Sequence, residues 1–247
     1  MNNYLLGKDW FIGSKLAERL ENLSVFEWDF LKDQFDLKGI DYVFHYISTT
    51  VPFWSFAEKD IYENLLNTIR LLNACVLNKV KKIIFPSSGW SLCEEPKSSH
   101  AIIKRTIEDF LKYYQRQYWL DYLILRYTNV YGYNERQNIW LINNMIRCAL
   151  HWDIFLQYWD LKKNYIYIDD AIDETIKNLD RKNETILIGG QTYRASEIEK
   201  IINKNYWNIR IEHLEPSKFD VEYFWPEFIT NTTIENGIKK IANRYIG

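Results

Sequence analysis

The chain has 247 residues, with 31 Lys plus Arg against 33 Asp plus Glu. That length suits one domain or two small lobes around a sizeable core, and the balanced charge excludes the broad basic field that nucleic-acid binding needs. No apolar run is long enough to span a bilayer, and Met1-Asn2-Asn3 opens neither a basic nor an apolar leader, so no membrane segment or signal peptide is expected.

Taken in order, apolar runs alternate with helical patterns. Leu5-Leu6 reads as a strand, and residues 11–21 as a helix. Residues 24–28 form a short strand and "DYVFHYI" at 41–47 a stronger one. Over 57–80 the apolar residues Ile61, Leu65, Ile69, Leu72 and Val76 recur at helical spacing. "KIIFP" at 82–86 is a buried strand with a Ser-Ser-Gly turn after it. Residues 99–118 form a long helix, and "DYLILRY" at 121–127 a strand. This alternation argues for βαβ units and a mainly parallel sheet, with binding at the carboxyl ends of the strands.

After Gly132 the pattern changes. A helix over 139–150, a short strand at 154–157, "YIYIDD" at 165–170, a helix to Leu179 and "ILIGG" follow. Two more helices are expected, from Ala195 and from Thr233. The expected division is therefore a first domain, 1–132, and a smaller lobe, 133–247, with 164–180 packing back on the first. Cys75, Cys93 and Cys148 are far apart and form no C-x-x-C pair, as in a reduced cytoplasmic protein. His45, His151 and His213 show no metal-ligand spacing, so no metal is expected.

Several segments, in order, carry a resemblance. "GKDWFIG" at 7–13 is similar to a G-x-x-G-F-I-G turn, "VFHYISTTVP" to a strand that lines a cofactor, and "IIFPSSGWSL" to a strand ending in S-S-G-G-T. "SSHAIIKRTIEDFL" is similar to S-S-Y-G-x-x-K-x-x-x-E, "YWLDYLILRYTNVYG" to Y-G-L-D-Y-x-I-L-R-x-x-N-x-Y-G, and "YWDLKKNYIYIDDA" to Y-G-D-G followed by R-D-Y-I-Y-V-D-D. Over nearly its whole length the chain resembles the extended short-chain dehydrogenase/reductases, in particular their NAD(P)-dependent nucleotide-sugar epimerases and dehydratases. The resemblance implies an α/β fold: a Rossmann-like, doubly wound parallel sheet with a small C-terminal α+β substrate lobe. It also implies a nucleotide-sugar substrate and a homodimer built on helices 57–80 and 99–118.

One count is unusual. There are 10 Trp and only 9 Gly, where the usual ~7% would place about 17 glycines. Trp10, Trp28, Trp90, Trp119, Trp152 and Trp159 fall where the family pattern has glycine. Trp28-Asp29, Trp152-Asp153, Trp159-Asp160 and Trp207-Asn208 would be ordinary turns if read as Gly-Asp or Gly-Asn. Trp119 stands between a long helix and a strand, where a left-handed glycine is favoured. Trp54, Trp140 and Trp225 are less clear. Two readings stay open. UGA codons that the source translates as glycine have been read as tryptophan, or the protein is Trp-rich and its cofactor loop is plugged.

In the first turn, Gly7, Trp10 (in a glycine's place) and Gly13 would let backbone N–H groups and a helix dipole face a pyrophosphate, with Phe11 and Ile12 beside them. Ile47 and Ser48 would line the cofactor. Glu27 or Asp29 would reach the ribose or adenine, and the lack of a basic pair there favours NAD over NADP. The family's chemistry uses a hydroxyl, a tyrosine and a lysine. Ser88 or Ser91 fits the hydroxyl and Lys104 the lysine. His100 occupies the tyrosine's place, four residues before Lys104 on one helix face. Three readings of it remain open: a catalytic histidine, a lost acid/base, and a shifted register. By resemblance, Asn129 and Lys163 would contact substrate, while Asp169-Asp170 would cap a helix.

Overall fold

The computed structural model describes residues 1–26, 35–48, 61–93, 98–133, 141–151, 154–157, 160–205, 209–213, 228 and 230–246. Glu27, Trp28, Asp29, Trp54, Trp140, Trp152, Trp159, Trp207 and Trp225 lie outside these described residues. The chain begins β1 (Asn3–Leu6), α1 (Phe11–Ala17), β2 (Leu23–Phe26), β3 (Tyr42–His45), a π-helical turn (Ile61–Leu66) and α2 (Asn67–Leu77). There follow β4 (Lys82–Ser88), a 3-10 turn (Gly89–Leu92), α3 (Ser99–Tyr118), β5 (Asp121–Tyr127), β6 (Asn129–Tyr131) and α4 (Leu141–His151). The remainder is β7 (Ile154–Gln157), β8 (Lys162–Tyr167), α5 (Ile168–Lys177), β9 (Glu184–Ile188), β10 (Gln191–Arg194), α6 (Ala195–Asn205), β11 (Arg210–His213) and α7 (Ile234–Ile246).

Contacts divide the chain into Met1–Tyr127 with Glu174–Leu187, and Thr128–Asp173 with Ile188–Gly247. This differs from the division at 132 drawn from the sequence. Of 164–180, only the part from Glu174 joins the first unit, because it leads into β9, which extends the first unit's sheet beside β5.

That sheet has the order β2-β1-β3-β4-β5-β9. β1 pairs in parallel with both β2 and β3, and β3, β4 and β5 continue in parallel. Parallel strands are covered on both faces, which is why their sequences are continuous apolar runs rather than alternating ones. All four residues of β1 are buried, as are six of the seven in β4. Helix α3 packs the same core through Ile103, Ile107, Leu111 and Tyr114, the i, i+4, i+8 and i+11 positions of one face. The chain leaves β1 for β2 and then recrosses to β3. The ends of β1 and β3 thus flank the topological switch point, where doubly wound sheets bind ligands.

The second unit holds a three-stranded sheet, β10-β8-β6, and a parallel pair, β11 with β7. Asn164, fully buried on β8, organises the three strands. Its Nδ2 donates to Gly190 O (2.7 Å), and its Oδ1 accepts from Gly190 N (2.7 Å) and Thr128 Oγ1 (2.9 Å). Asp169 and Asp170 lie within the first turn of α5 instead of capping it. Asp170 is held by the Thr232 backbone N–H (2.8 Å) and hydroxyl (2.9 Å).

Helix α3 starts where the Ser98 side chain accepts from Ala101 N and ends at Trp119, whose φ of 60° and ψ of 23° are left-handed. Trp119 is 83% exposed, so its side chain gains little from packing while its backbone sits in a conformation that disfavours a Cβ. Trp119→Gly is therefore expected to stabilise the protein by about 1 kcal/mol, a rise of roughly 2–4 °C in Tm for a chain of this size. Differential scanning calorimetry would read it, and an unchanged or lower Tm would refute it. The conformational argument for glycine does not extend to the other described tryptophans. Trp10 is extended (φ −91°), and Trp90 in the 3-10 turn has no positive φ.

Candidate functional site

β1 ends at Leu6, and Gly7 follows with φ +96°, a conformation that suits glycine. A Cβ at Gly7 would lie 2.6 Å from the Tyr46 carbonyl carbon, and one at Gly13 would overlap Gly7 O. The turn after β1 is thus pressed directly against the end of β3. Trp10 N donates to Gly7 O (3.0 Å) and Trp10 O accepts from Ser14 N (2.7 Å), which closes the turn. Phe11 is buried and Ile12 is half-buried. The Trp10 indole is half-buried at the start of α1, where its side chain makes no capping hydrogen bond.

Behind this turn, Ile47 and Ser48 line a small cavity with His45, Thr68, His100 and Lys104. α3 supplies His100 and Lys104 from consecutive turns. Lys104 is 6% exposed; its ammonium donates to Pro86 O (2.8 Å) and stands 4.6 Å from the centre of the Phe85 ring. Burial pulls its pKa down to about 8, with Glu108 opposing. Burial and, secondarily, the Lys104 charge push His100 down to about 4, so its imidazole is neutral at neutral pH.

His45 was legible in the sequence only as a histidine without metal spacing; the fold makes it a wall of this cavity. It is 4% exposed, and its Nε2 lies 2.8 Å from Thr68 Oγ1. The Thr68 hydroxyl donates to Asn64 O (2.6 Å), so Thr68 accepts from His45 Nε2–H and Nδ1 keeps its lone pair. Among the described residues Nδ1 has no partner. Burial, then the Lys104 charge, lowers the His45 pKa to about 3.

The two candidate serines diverge. Ser91 is 2% exposed, and its hydroxyl lies 2.7 Å from Ser88 O and 3.0 Å from Glu108 Oε1, so its single proton is shared between these two acceptors. Ser88 is half-buried and its Oγ accepts from Trp90 N (3.2 Å). Neither serine lines the cavity that holds His100 and Lys104. In the second unit, Asn129 Nδ2 donates to Asn164 O (2.9 Å), and Lys163 lies on β8 opposite Tyr193. Asp29 is outside the described residues.

A glycine turn at the switch point of a doubly wound sheet, with a buried lysine behind it, defines an α/β dinucleotide-binding protein. The model of the NAD-dependent epimerase/dehydratase family matches residues 9–189, and the chain belongs to that family. It is 28% identical over 195 residues to a Methanocaldococcus jannaschii protein provisionally assigned as a UDP-glucose 4-epimerase, covering 70% of this chain and 63% of that one. It is 30% identical over 164 residues to the dTDP-D-glucose 4,6-dehydratase of Mus musculus, covering 58% of this chain and 45% of that one. The chain thus spans less than two thirds of the length of these relatives. The Thermus thermophilus UDP-glucose 4-epimerase in complex with NAD superposes with a TM-score of 0.86 at 19% identity, over 100% of this chain and 99% of that one. Among the described residues no helix is long and apolar enough to cross a membrane.

The residues present fit a dinucleotide at two points. The Gly7–Gly13 turn offers bare backbone at the switch point, and Lys104 offers a buried ammonium with two of its three donors uncommitted among the described residues. The Trp10 side chain is the misfit.

Proposed function

We propose that this chain is an NAD-dependent epimerase or dehydratase acting on a nucleotide-linked sugar. The observation that carries the reading is Lys104, a buried ammonium anchored on Pro86 O, in a cavity it shares with His100 one helical turn away. In this reading the Gly7–Gly13 turn and Lys104 hold the NAD, which takes and returns the hydride when bound. Ser88 orients the sugar hydroxyl, because its O–H is not committed elsewhere among the described residues, whereas that of Ser91 is. His100 accepts the hydroxyl proton as the C–H hydride departs, which leaves a ketone. Returning the hydride to the other face of the ketone would give the epimer. Loss of water from the ketone, followed by return of the hydride to the resulting alkene carbon, would give the dehydrated product, and in both cases NAD would end oxidised.

A neutral histidine with a pKa near 4 is a weak base at neutral pH, since acid/base catalysis is most effective when the pKa lies near the working pH. That observation favours a second reading, in which the chain binds NAD but turns over little and serves as a partner or sensor. The two separate in one experiment. UDP-glucose or dTDP-glucose deuterated at the reacting carbon is incubated with protein and NAD, and deuterium transfer and products are read by mass spectrometry. Slow transfer by the wild type, raised at least about tenfold by His100→Tyr, is the expected outcome. NAD bound with no transfer by either protein supports the second reading, and no NAD binding at all refutes both.

We further propose a homodimer. Ile61, Tyr62 and Leu66 on the π-helical turn, with Ile102 and Tyr113 on α3, are exposed apolar side chains. Ile102 and Tyr113 are eleven positions apart and so share a face of α3. Sedimentation of the wild type as a monomer would end this proposal, and Ile102→Glu is expected to dissociate the dimer.

A further inference from the structure

The carboxylate of Glu108 is fully buried and is not part of the cavity. It nevertheless belongs to the same helical stripe, since His100, Lys104 and Glu108 follow one another at intervals of four on α3. Glu108 Oε1 accepts from the Ser87 hydroxyl and, at 3.0 Å, from the Ser91 hydroxyl. Arg126 on β5 engages the carboxylate with both Nε (3.0 Å) and Nη2, a two-point charge-assisted contact that neutralises it. From the position after Lys104 on α3, Arg105 donates through Nε to Ser91 O (2.8 Å) and through Nη2 to Cys93 O. Lys104 already holds Pro86 O.

The end of β4 and the 3-10 turn are therefore gripped by α3 at Pro86, Ser87, Ser91 and Cys93, on both sides of Ser88. Ser88 accepts one backbone N–H, and its hydroxyl proton is given to no acceptor among the described residues. A buried carboxylate would be unfavourable unless paired, and this one takes four donors. Its hydroxyl partners lie one residue before and three residues after Ser88.

We infer that Glu108, with Arg126 as its counter-ion, is a positioning residue that fixes the Ser88 turn relative to the helix carrying His100 and Lys104. The inference rests on the proposed function for its catalytic consequence but not for its structural content. α3 then acts as a ruler: one element presents the proton-handling groups and also sets where the orienting hydroxyl stands.

Removing Glu108 alone strands the Arg126 charge, so a failure to fold would say nothing about the turn. The test uses the double variant Glu108→Met/Arg126→Met, because replacing both partners of a buried ion pair by apolar groups of similar size is tolerated. Amide hydrogen exchange is followed by mass spectrometry on the wild type and on the folded double variant. The expected result is exchange at least about tenfold faster at residues 88–93, with protection of α3 and β5 unchanged. Where deuterium transfer is measurable, kcat falls at least about tenfold while the NAD KM stays within about twofold. Unchanged protection of 88–93 in a folded double variant overturns the inference. So does an equal loss of NAD affinity and kcat, which would mean a general structural role. Absence of turnover in the wild type counts against the proposed function alone, since the exchange result still decides the clamp.

Discussion

Glycine at position 10 is expected to tighten NAD binding by on the order of a hundredfold, ~3 kcal/mol. A Cβ at Gly7 would strike Tyr46, and one at Gly13 would strike Gly7 O, so both glycines let the turn pack against the end of β3. In the proposed function the same turn faces the pyrophosphate. Position 10 closes that turn through its N–H to Gly7 O, yet its own backbone is extended and tolerates a side chain. In the proposed function, the requirement for glycine there comes from the ligand. An indole standing where a pyrophosphate must pass removes charge-assisted hydrogen bonds worth roughly 1.5–3 kcal/mol each. Titration of the wild type and Trp10→Gly by calorimetry would check this, and equal affinities would show that the indole lies clear of the cofactor. The coding sequence answers the related question. UGA at positions 10, 90 and 119 would mean that the chain as translated carries tryptophan in glycine's place. UGG would make these true tryptophans and the weakened turn a property of the protein.

Acid should destabilise the first unit well before its carboxylates protonate. His45 titrates near 3 in the folded chain against 6.5 in the unfolded one. Between those values the unfolded chain binds more protons, so stability rises with pH there and is lost as pH falls below about 6.5. At roughly pH 4.5 the loss from His45 amounts to about 2.5 kcal/mol relative to pH 7. His100, with a folded value near 4, works in the same direction. Protonating His45 would place a second cation beside Lys104, with no acceptor for Nδ1–H among the described residues. Urea unfolding at the two pH values measures the loss. In His45→Gln, which keeps a donor for Thr68 but does not titrate, the pH dependence should flatten by about that amount. A wild-type stability that is level from pH 7 to 4.5 would show that His45 is solvated rather than sealed.

The amino-acid pattern was enough for the parts of the molecule whose cause is local. The two-sided burial of parallel strands writes itself as apolar runs, so β1, β3, β4 and β5 stood out, as did α3, whose expected range 99–118 is the range observed. The glycine demand at Trp119 could be read from a helix end followed by a strand, because a left-handed C-cap is a local conformation. Short elements whose only cause is a partner elsewhere could not be read. β6, β10 and β11 are three or four residues long and exist through pairing with β8 and β7.

The site divides in the same way. Spacing alone put His100 and Lys104 on one helix face, and composition alone set the tryptophans against the glycines. Which serine keeps a hydroxyl proton uncommitted among the described residues, that His45 backs the lysine, and that Glu108 grips the turn were decided only by the tertiary structure. The reason is physical. A helix fixes the relation of residues four apart, whatever surrounds it. The pairing of Glu108 with Arg126, or of His45 with Thr68, joins residues 18 and 23 apart in the chain, and comes into being only when the sheet and helices pack.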